Sequence, residues 1–173
     1  DSLMAGYGLP NEQHLSIVLQ KSLEFDGHNI EIVNGSVSGS TSAGGLNIAE
    51  WTLSENNIDL MILCLGANDM LRGINPKETK NNLEEIIEIA KNKNIKVIIA
   101  GMIAPTSYGY AYKKSFDKIF SDLSKKHKLQ LIPFLLEGVA QKPEFNLSDG
   151  MHPNDRGTII IVNTLKKAIL KNL

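Results

Sequence analysis

The sequence predicts an α/β fold, a three-layer α/β/α sandwich around a mostly parallel sheet. Two observations predict it. Four short runs, residues 30–33, 60–65, 97–103 and 129–132, are largely apolar, the first and last interrupted only by Glu31 and Gln130, as strands covered on both faces are. Between them lie longer segments with apolar residues at three- and four-residue spacing, long enough for the crossovers that parallel strands need. No repeat, low-complexity tract or linker interrupts the alternation, so residues 1–173 are expected to form one domain.

Taken in order, Asp1-Ser2-Leu3-Met4-Ala5-Gly6 reads as a strand-to-helix loop with no strand before it. A first strand in this topology pairs on both sides, and its absence would leave two neighbours with unpaired backbone groups. That first strand is therefore expected to lie upstream of Asp1, missing from the sequence in hand. Residues 12–25 form a helix with Leu15, Val18, Leu19 and Leu23 on one face. The strand at 30–33 leads into the polar loop Asn34–Ser42, and a weaker helix follows over 43–53, where Gly44 and Gly45 lower its propensity. The strand at 60–65 leads into Gly66-Ala67-Asn68-Asp69. A helix over 76–91 starts with Pro76 in its first turn and carries Leu83, Ile86, Ile87 and Ala90. The strand at 97–103 runs into the loop Pro105–Tyr110, then a helix over 111–127 carrying Phe116, Ile119, Phe120 and Leu123. Asn154 is a good N-cap for the last helix, which runs through Ile160, Leu165 and Ile169.

A formal net charge of −1 supplies neither the basic field that nucleic acid requires nor an acidic tail. No apolar run approaches the ~20 residues of a membrane-spanning helix. Cys64 is the one cysteine, which excludes an internal disulfide, and its apolar neighbours mark it as a small buried hydrophobe. The compartment stays open: periplasmic or secreted if a signal peptide has been removed, otherwise cytoplasmic.

Parallel α/β sheets place their chemistry at the carboxyl ends of the strands. A serine at a strand-to-helix turn, as Ser2 is read, can present its hydroxyl beside the backbone N–H groups of the helix start. In Asn34-Gly35-Ser36-Val37-Ser38-Gly39 the glycines allow close backbone approach, so Gly39 N–H can point at a ligand oxygen. Asn68 can offer its amide to the same point. Taken singly, each of these loops is also what an ordinary turn looks like. In Asp149-Gly150-Met151-His152-Pro153 a three-residue offset can bring a carboxylate to the imidazole Nδ1 and leave Nε2 free as a base, while Pro153 keeps His152 extended. His14, His28 and His127 have no such neighbour and are assigned no role.

Together these four segments resemble, in order and spacing, the SGNH (GDSL-type) hydrolase family, whose fold is flavodoxin-like. Asp1-Ser2-Leu3 is similar to the end of its Gly-Asp-Ser-Leu block, Gly39 to the glycine of the second, Gly66-Ala67-Asn68-Asp69 to the third and Asp149-Gly150-Met151-His152 to the last. The resemblance implies Ser2 as nucleophile, His152 as general base and Asp149 as its partner. It also implies an oxyanion hole of Ser2 N–H, Gly39 N–H and the Asn68 amide, with Asp1 orienting the active-site loops. The stretches Ser2–Gly8, Val33–Gly39, Asp69–Pro76 and Pro105–Tyr110 look most like the bacterial thioesterase I/lysophospholipase/arylesterase branch. That likeness implies a small-molecule acyl ester or thioester substrate, no cofactor or metal, and a monomer. Met70, Leu71, Ile103, Tyr108 and Phe134 are the candidates for holding the acyl chain, though each can equally be core or rim packing.

Other readings fit less well. The chain has no G-x-S-x-G elbow of an α/β-hydrolase, no phosphate-binding G-x-x-x-x-G-K-[ST] loop and no histidine cluster for a metal. A carbohydrate O-deacetylase on the same fold is the alternative enzyme. A non-catalytic binding module is the alternative of another class, and it has no need of Ser2, Asn68, Asp149 and His152 together.

Overall fold

Three α-helices precede the first strand, and from there strands and helices alternate broadly as the apolar periodicity suggests. The computed structural model describes residues 1–54 and 57–173. They divide into two compact units, residues 39–134 and residues 1–38 together with 135–173.

The unit of residues 39–134 holds the sheet. Strands β1 (Leu60–Leu63), β2 (Lys96–Ala100) and β3 (Gln130–Ile132) pair in parallel in the order β1-β2-β3. Leu63 lies opposite Ile99, and Ala100 opposite Ile132. The central strand shows why a continuous apolar run was needed: Val97, Ile98, Ile99 and Ala100 are all buried. Helix α3 (Ser42–Thr52) packs on α5 (Pro76–Asn92), α5 on β2, and α6 (Gly109–His127) on α5, β2 and β3. Helix α5 is capped by Asn75, whose side chain accepts from Lys77 N–H at 3.0 Å, and it buries the stripe Leu83, Ile86, Ile87 and Ala90. Helix α6 ends in Lys125, Lys126 and His127, cations suited to the negative end of its dipole. Lys126 and His127 both bind the Glu84 carboxylate, and those hydrogen bonds hold it below the usual carboxylate range. Cys64 is buried, and burial pushes its thiol up to about 11, so it is an inert core residue.

In the other unit, α2 (Leu15–Phe25) packs against α7 (Asp155–Ile169), and the short α1 (Ser2–Ala5) packs against α2. Helix α2 buries Leu15, Leu19 and Leu23; α7 buries Ile161, Val162, Leu165, Ala168 and Ile169. Asn154 caps α7 by accepting from Gly157 N–H at 3.0 Å, as its position foretells.

One predicted element is absent. Residues 30–33 belong to no strand, and Val33 is 71% exposed. Their backbone finds a side chain instead of a neighbouring strand: Gln20 Nε2 donates to Ile30 O at 2.5 Å, and Ile32 N–H donates to Gln20 Oε1 at 2.6 Å. Helix α2 also starts later than its periodicity suggests, because Asn11–Gln13 make a 3₁₀ turn and His14 takes an extended conformation. Helices α1 and α4 (Ala67–Leu71) occupy segments read from sequence as loops; at four and five residues they are too short to show a period. No helix among the described residues is long and apolar enough to cross a membrane.

Candidate active site

Helix α1 positions the serine. Asp1 is its N-cap, buried, with Oδ1 accepting from Leu3 N–H at 3.2 Å, so Ser2 is the first helical residue. The helix ends after one turn at Gly6, whose φ of +80° is left-handed. A Cβ there would run into the His14 ring, so a side chain would have to displace it as well as adopt a strained φ. The carbonyl of Ser2 accepts from Gly6 N–H and, at 3.3 Å, from Tyr7 N–H.

The histidine comes from a tight loop between the 3₁₀ turn Pro143–Phe145 and α7. Leu147 N–H donates to His152 O at 2.8 Å and Asn154 N–H to Phe145 O at 3.0 Å, with an antiparallel bridge between Asn146 and Pro153. Asn146 anchors that loop by donating to the carbonyls of Val139 and Lys142. At the tip Asp149 Oδ1 accepts from Met151 N–H at 2.8 Å and His152 N–H at 3.0 Å, a turn that Gly150 permits with φ +70°. Asp149 Oδ2 lies 2.7 Å from His152 Nδ1, and His152 Nε2 lies 3.0 Å from Ser2 Oγ. Burial pushes the Asp149 carboxyl up, but the two backbone N–H groups and the imidazole outweigh it, leaving the group at about 2. It is therefore ionised throughout the neutral range.

An ionised carboxylate on Nδ1 fixes that nitrogen as the N–H donor, so Nε2 carries the lone pair and faces the serine hydroxyl. That arrangement can take a proton from Ser2 Oγ. The residues expected to act together, Ser2, Asp149 and His152, thus come together in one unit. A fourth residue joins them: the Tyr7 ring lies against the imidazole, centroids 4.4 Å apart and planes 38° from parallel.

The remaining candidates lie in the unit of residues 39–134. Gly39 has φ +78°, and its carbonyl accepts from Arg72 Nη2 at 3.0 Å. Asn68 is the second residue of α4, whose N-cap is Gly66, and its Nδ2 donates to Ser40 O at 3.1 Å, which brings the second and third blocks together. Next to it Asp69, 0% exposed, accepts from Ser42 N–H at 2.8 Å, Ser42 Oγ at 2.5 Å and Thr79 Oγ1 at 3.1 Å. Of the acyl-chain candidates, Leu71 and Tyr108 meet, since Tyr108 Oη donates to Leu71 O at 3.0 Å. Ile103 is exposed, while Met70 and Phe134 are partly buried.

Asp69, Arg72 and Tyr7 were not among the residues singled out from sequence. Asp69 had a signal, a carboxylate at the end of an apolar strand that must find donors if buried. Tyr7 had one too, an aromatic ring held between Gly6 and Gly8 beside the serine.

Residues 1–158 match the GDSL-like lipase/acylhydrolase family. An arylesterase of Vibrio mimicus is 35% identical over the whole chain and 86% of its own length. The thioesterase 1/protease 1/lysophospholipase L1 of Escherichia coli K12 is 31% identical over 98% of the chain and 80% of its own length. The crystal structure of TesA superposes with a TM-score of 0.94 at 33% identity, covering 100% of this chain and 96% of that one.

Proposed function

The chain belongs to the GDSL-like lipase/acylhydrolase family as an esterase/thioesterase hydrolase with the α/β three-layer fold, and we propose that it works through Ser2, His152 and Asp149. The observation that carries the proposal is the unbroken path from Asp149 Oδ2 through the imidazole to Ser2 Oγ, 2.7 and 3.0 Å.

In the first half-reaction Ser2 Oγ adds to the acyl carbonyl carbon while its proton passes to His152 Nε2. The bond to the leaving alcohol or thiol then breaks, and the leaving group takes that proton from Nε2. Water, deprotonated by the same nitrogen, attacks the acyl-enzyme to release the carboxylic acid and restore Ser2. Asp149 does not exchange a proton; its carboxylate, far below the working pH, stabilises the imidazolium that forms in each half. The oxyanion is assigned to Ser2 N–H, Gly39 N–H and the Asn68 amide. Asp1 supports the set by capping the helix that presents Ser2. Met70, Leu71, Ile103, Tyr108 and Phe134 are assigned to the acyl chain, supported by the half-exposed apolar surface of Leu71, Ile103 and Tyr108. The substrates are small-molecule acyl compounds. The working unit proposed is a monomer.

The test is intact-mass analysis after treatment with a fluorophosphonate. The wild type should gain one adduct and Ser2→Ala none. An adduct on Ser2→Ala, or none on the wild type, would overturn the assignment of the nucleophile.

A further inference from the structure

The triad by itself does not hold its imidazole still. Asp149 restrains His152 at Nδ1 and Ser2 meets Nε2, so both contacts lie near the plane of the ring. Neither opposes a swing of the ring out of that plane. The side chain is 17% exposed, so packing does not enclose it completely.

The Tyr7 ring lies against the imidazole. Its centroid is 4.4 Å from that of the imidazole at a 38° tilt, within the range where aromatic pairs attract. Tyr7 is itself 53% exposed, which is more than a ring placed to fill a core would be. Its backbone is not free to drift. Tyr7 N–H donates to the carbonyl of Ser2, Gly6 on one side has a left-handed φ of +80°, and Gly8 on the other has φ +74°. A Cβ at Gly8 would meet Leu147 Cδ1 at 2.6 Å, in the loop whose Leu147 N–H binds His152 O. The same few residues therefore present the nucleophile and lay a ring against its base.

We propose that Tyr7 is a positioning residue, its ring holding the His152 imidazole in the plane that joins Asp149 to Ser2. The inference rests on the triad reading above. It assigns the work to the aromatic face, not to the hydroxyl. The ring acts through His152 in both half-reactions, so it affects the rate of proton transfer and not the binding of substrate.

The experiment measures kcat and KM for p-nitrophenyl acetate, with the fluorophosphonate labelling rate, in Tyr7→Leu, Tyr7→Phe, His152→Ala and His152→Ala/Tyr7→Leu. Tyr7→Leu should lower kcat and labelling by roughly tenfold with KM within about twofold, the size expected from an aromatic pair. Tyr7→Phe should restore both to within about threefold. In the His152→Ala background Tyr7→Leu should cost nothing more, because a residue acting through His152 has nothing left to position. The ring protons of His152 should also show an upfield ring-current shift by NMR, kept in Tyr7→Phe and lost in Tyr7→Leu. A purely structural or substrate-binding role would lower the residual activity of His152→Ala as well, and that result overturns the inference. So does a Tyr7→Leu enzyme with wild-type kcat. Either leaves the triad intact, provided that His152→Ala is itself disabled. A fully active His152→Ala enzyme would instead overturn the triad reading and this inference with it.

Discussion

Asp69 offers a prediction whose size follows from its partners. The carboxylate is fully buried and accepts from the Ser42 amide, the Ser42 hydroxyl and the Thr79 hydroxyl. In Asp69→Ala the two hydroxyls have alternatives. Thr79 can turn to a carbonyl of its own helix, and Ser42 Oγ still receives the Asn82 amide at 3.0 Å. The Ser42 N–H cannot turn, because it belongs to the first residue of α3. Leaving that donor buried and unpaired costs about 1–3 kcal/mol, and losing the charge-assisted bonds to the hydroxyls adds to it. Part is returned because a buried charge is removed. The net expectation is a loss of about 3 kcal/mol of unfolding free energy, or a fall in Tm of roughly 6–12 °C for a chain of this size. Asp69→Asn should lose less, about 1–2 kcal/mol, because its oxygen can stay on the Ser42 amide while its NH₂ donates to the hydroxyls. Urea unfolding of both variants checks the pair of numbers. An Asp69→Ala protein within about 1 kcal/mol of wild type, or an Asn variant worse than Ala, would refute the account of the network.

Two predictions concern the chemistry itself. Asp149→Asn keeps the shape of the loop but loses the charge on Nδ1, so kcat should fall by about 10³–10⁴. The carboxyl is lowered in the folded protein to about 2, against an ordinary value of 3.8, so its stabilising contribution is complete above pH 4 and is lost as pH falls toward 2. Acid unfolding of Asp149→Asn should lack that component, and a pH-stability curve superimposable on the wild type between pH 2 and 4 would contradict it. Asn68→Ala should lower kcat by roughly 10²–10³ with KM nearly unchanged, because an oxyanion donor acts on the transition state. Steady-state kinetics with unchanged kcat would remove Asn68 from that role.

What the sequence made legible was what depends on near neighbours. The Asp149–His152 pair could be read directly because an aspartate side chain reaches the N–H groups two and three positions on, and Gly150 supplies the φ that this turn needs. The stripe of α5 and the cap at Asn154 were readable for the same reason, since a helix writes its packing face and its ends locally. Residues 30–33 were misread because an apolar run shows only that a segment suits a sheet. Whether it joins one depends on an adjacent strand, and here the Gln20 amide takes that part. The Asp69 network was hidden for a related reason: its donors come from 27 and 10 positions away, and a polar cluster leaves no mark on hydrophobic periodicity.

Ser2 and His152 lie 150 positions apart in the chain, so something other than local sequence must set the 3.0 Å separation of Oγ and Nε2. The packing of α2 on α7 is the means. Helix α1 rests on α2, and the loop bearing His152 leads directly into α7, whose first turn Asn154 fixes. Leu15, Leu19 and Leu23 on one helix and Ile161, Leu165 and Ile169 on the other are buried apolar residues of an ordinary interface, with no chemistry of their own. Close-packed interiors deform little, so such an interface can hold two polar groups to a few tenths of an ångström. The one freedom it cannot remove is rotation of the imidazole about its own side-chain bonds, and that is the freedom the Tyr7 ring opposes.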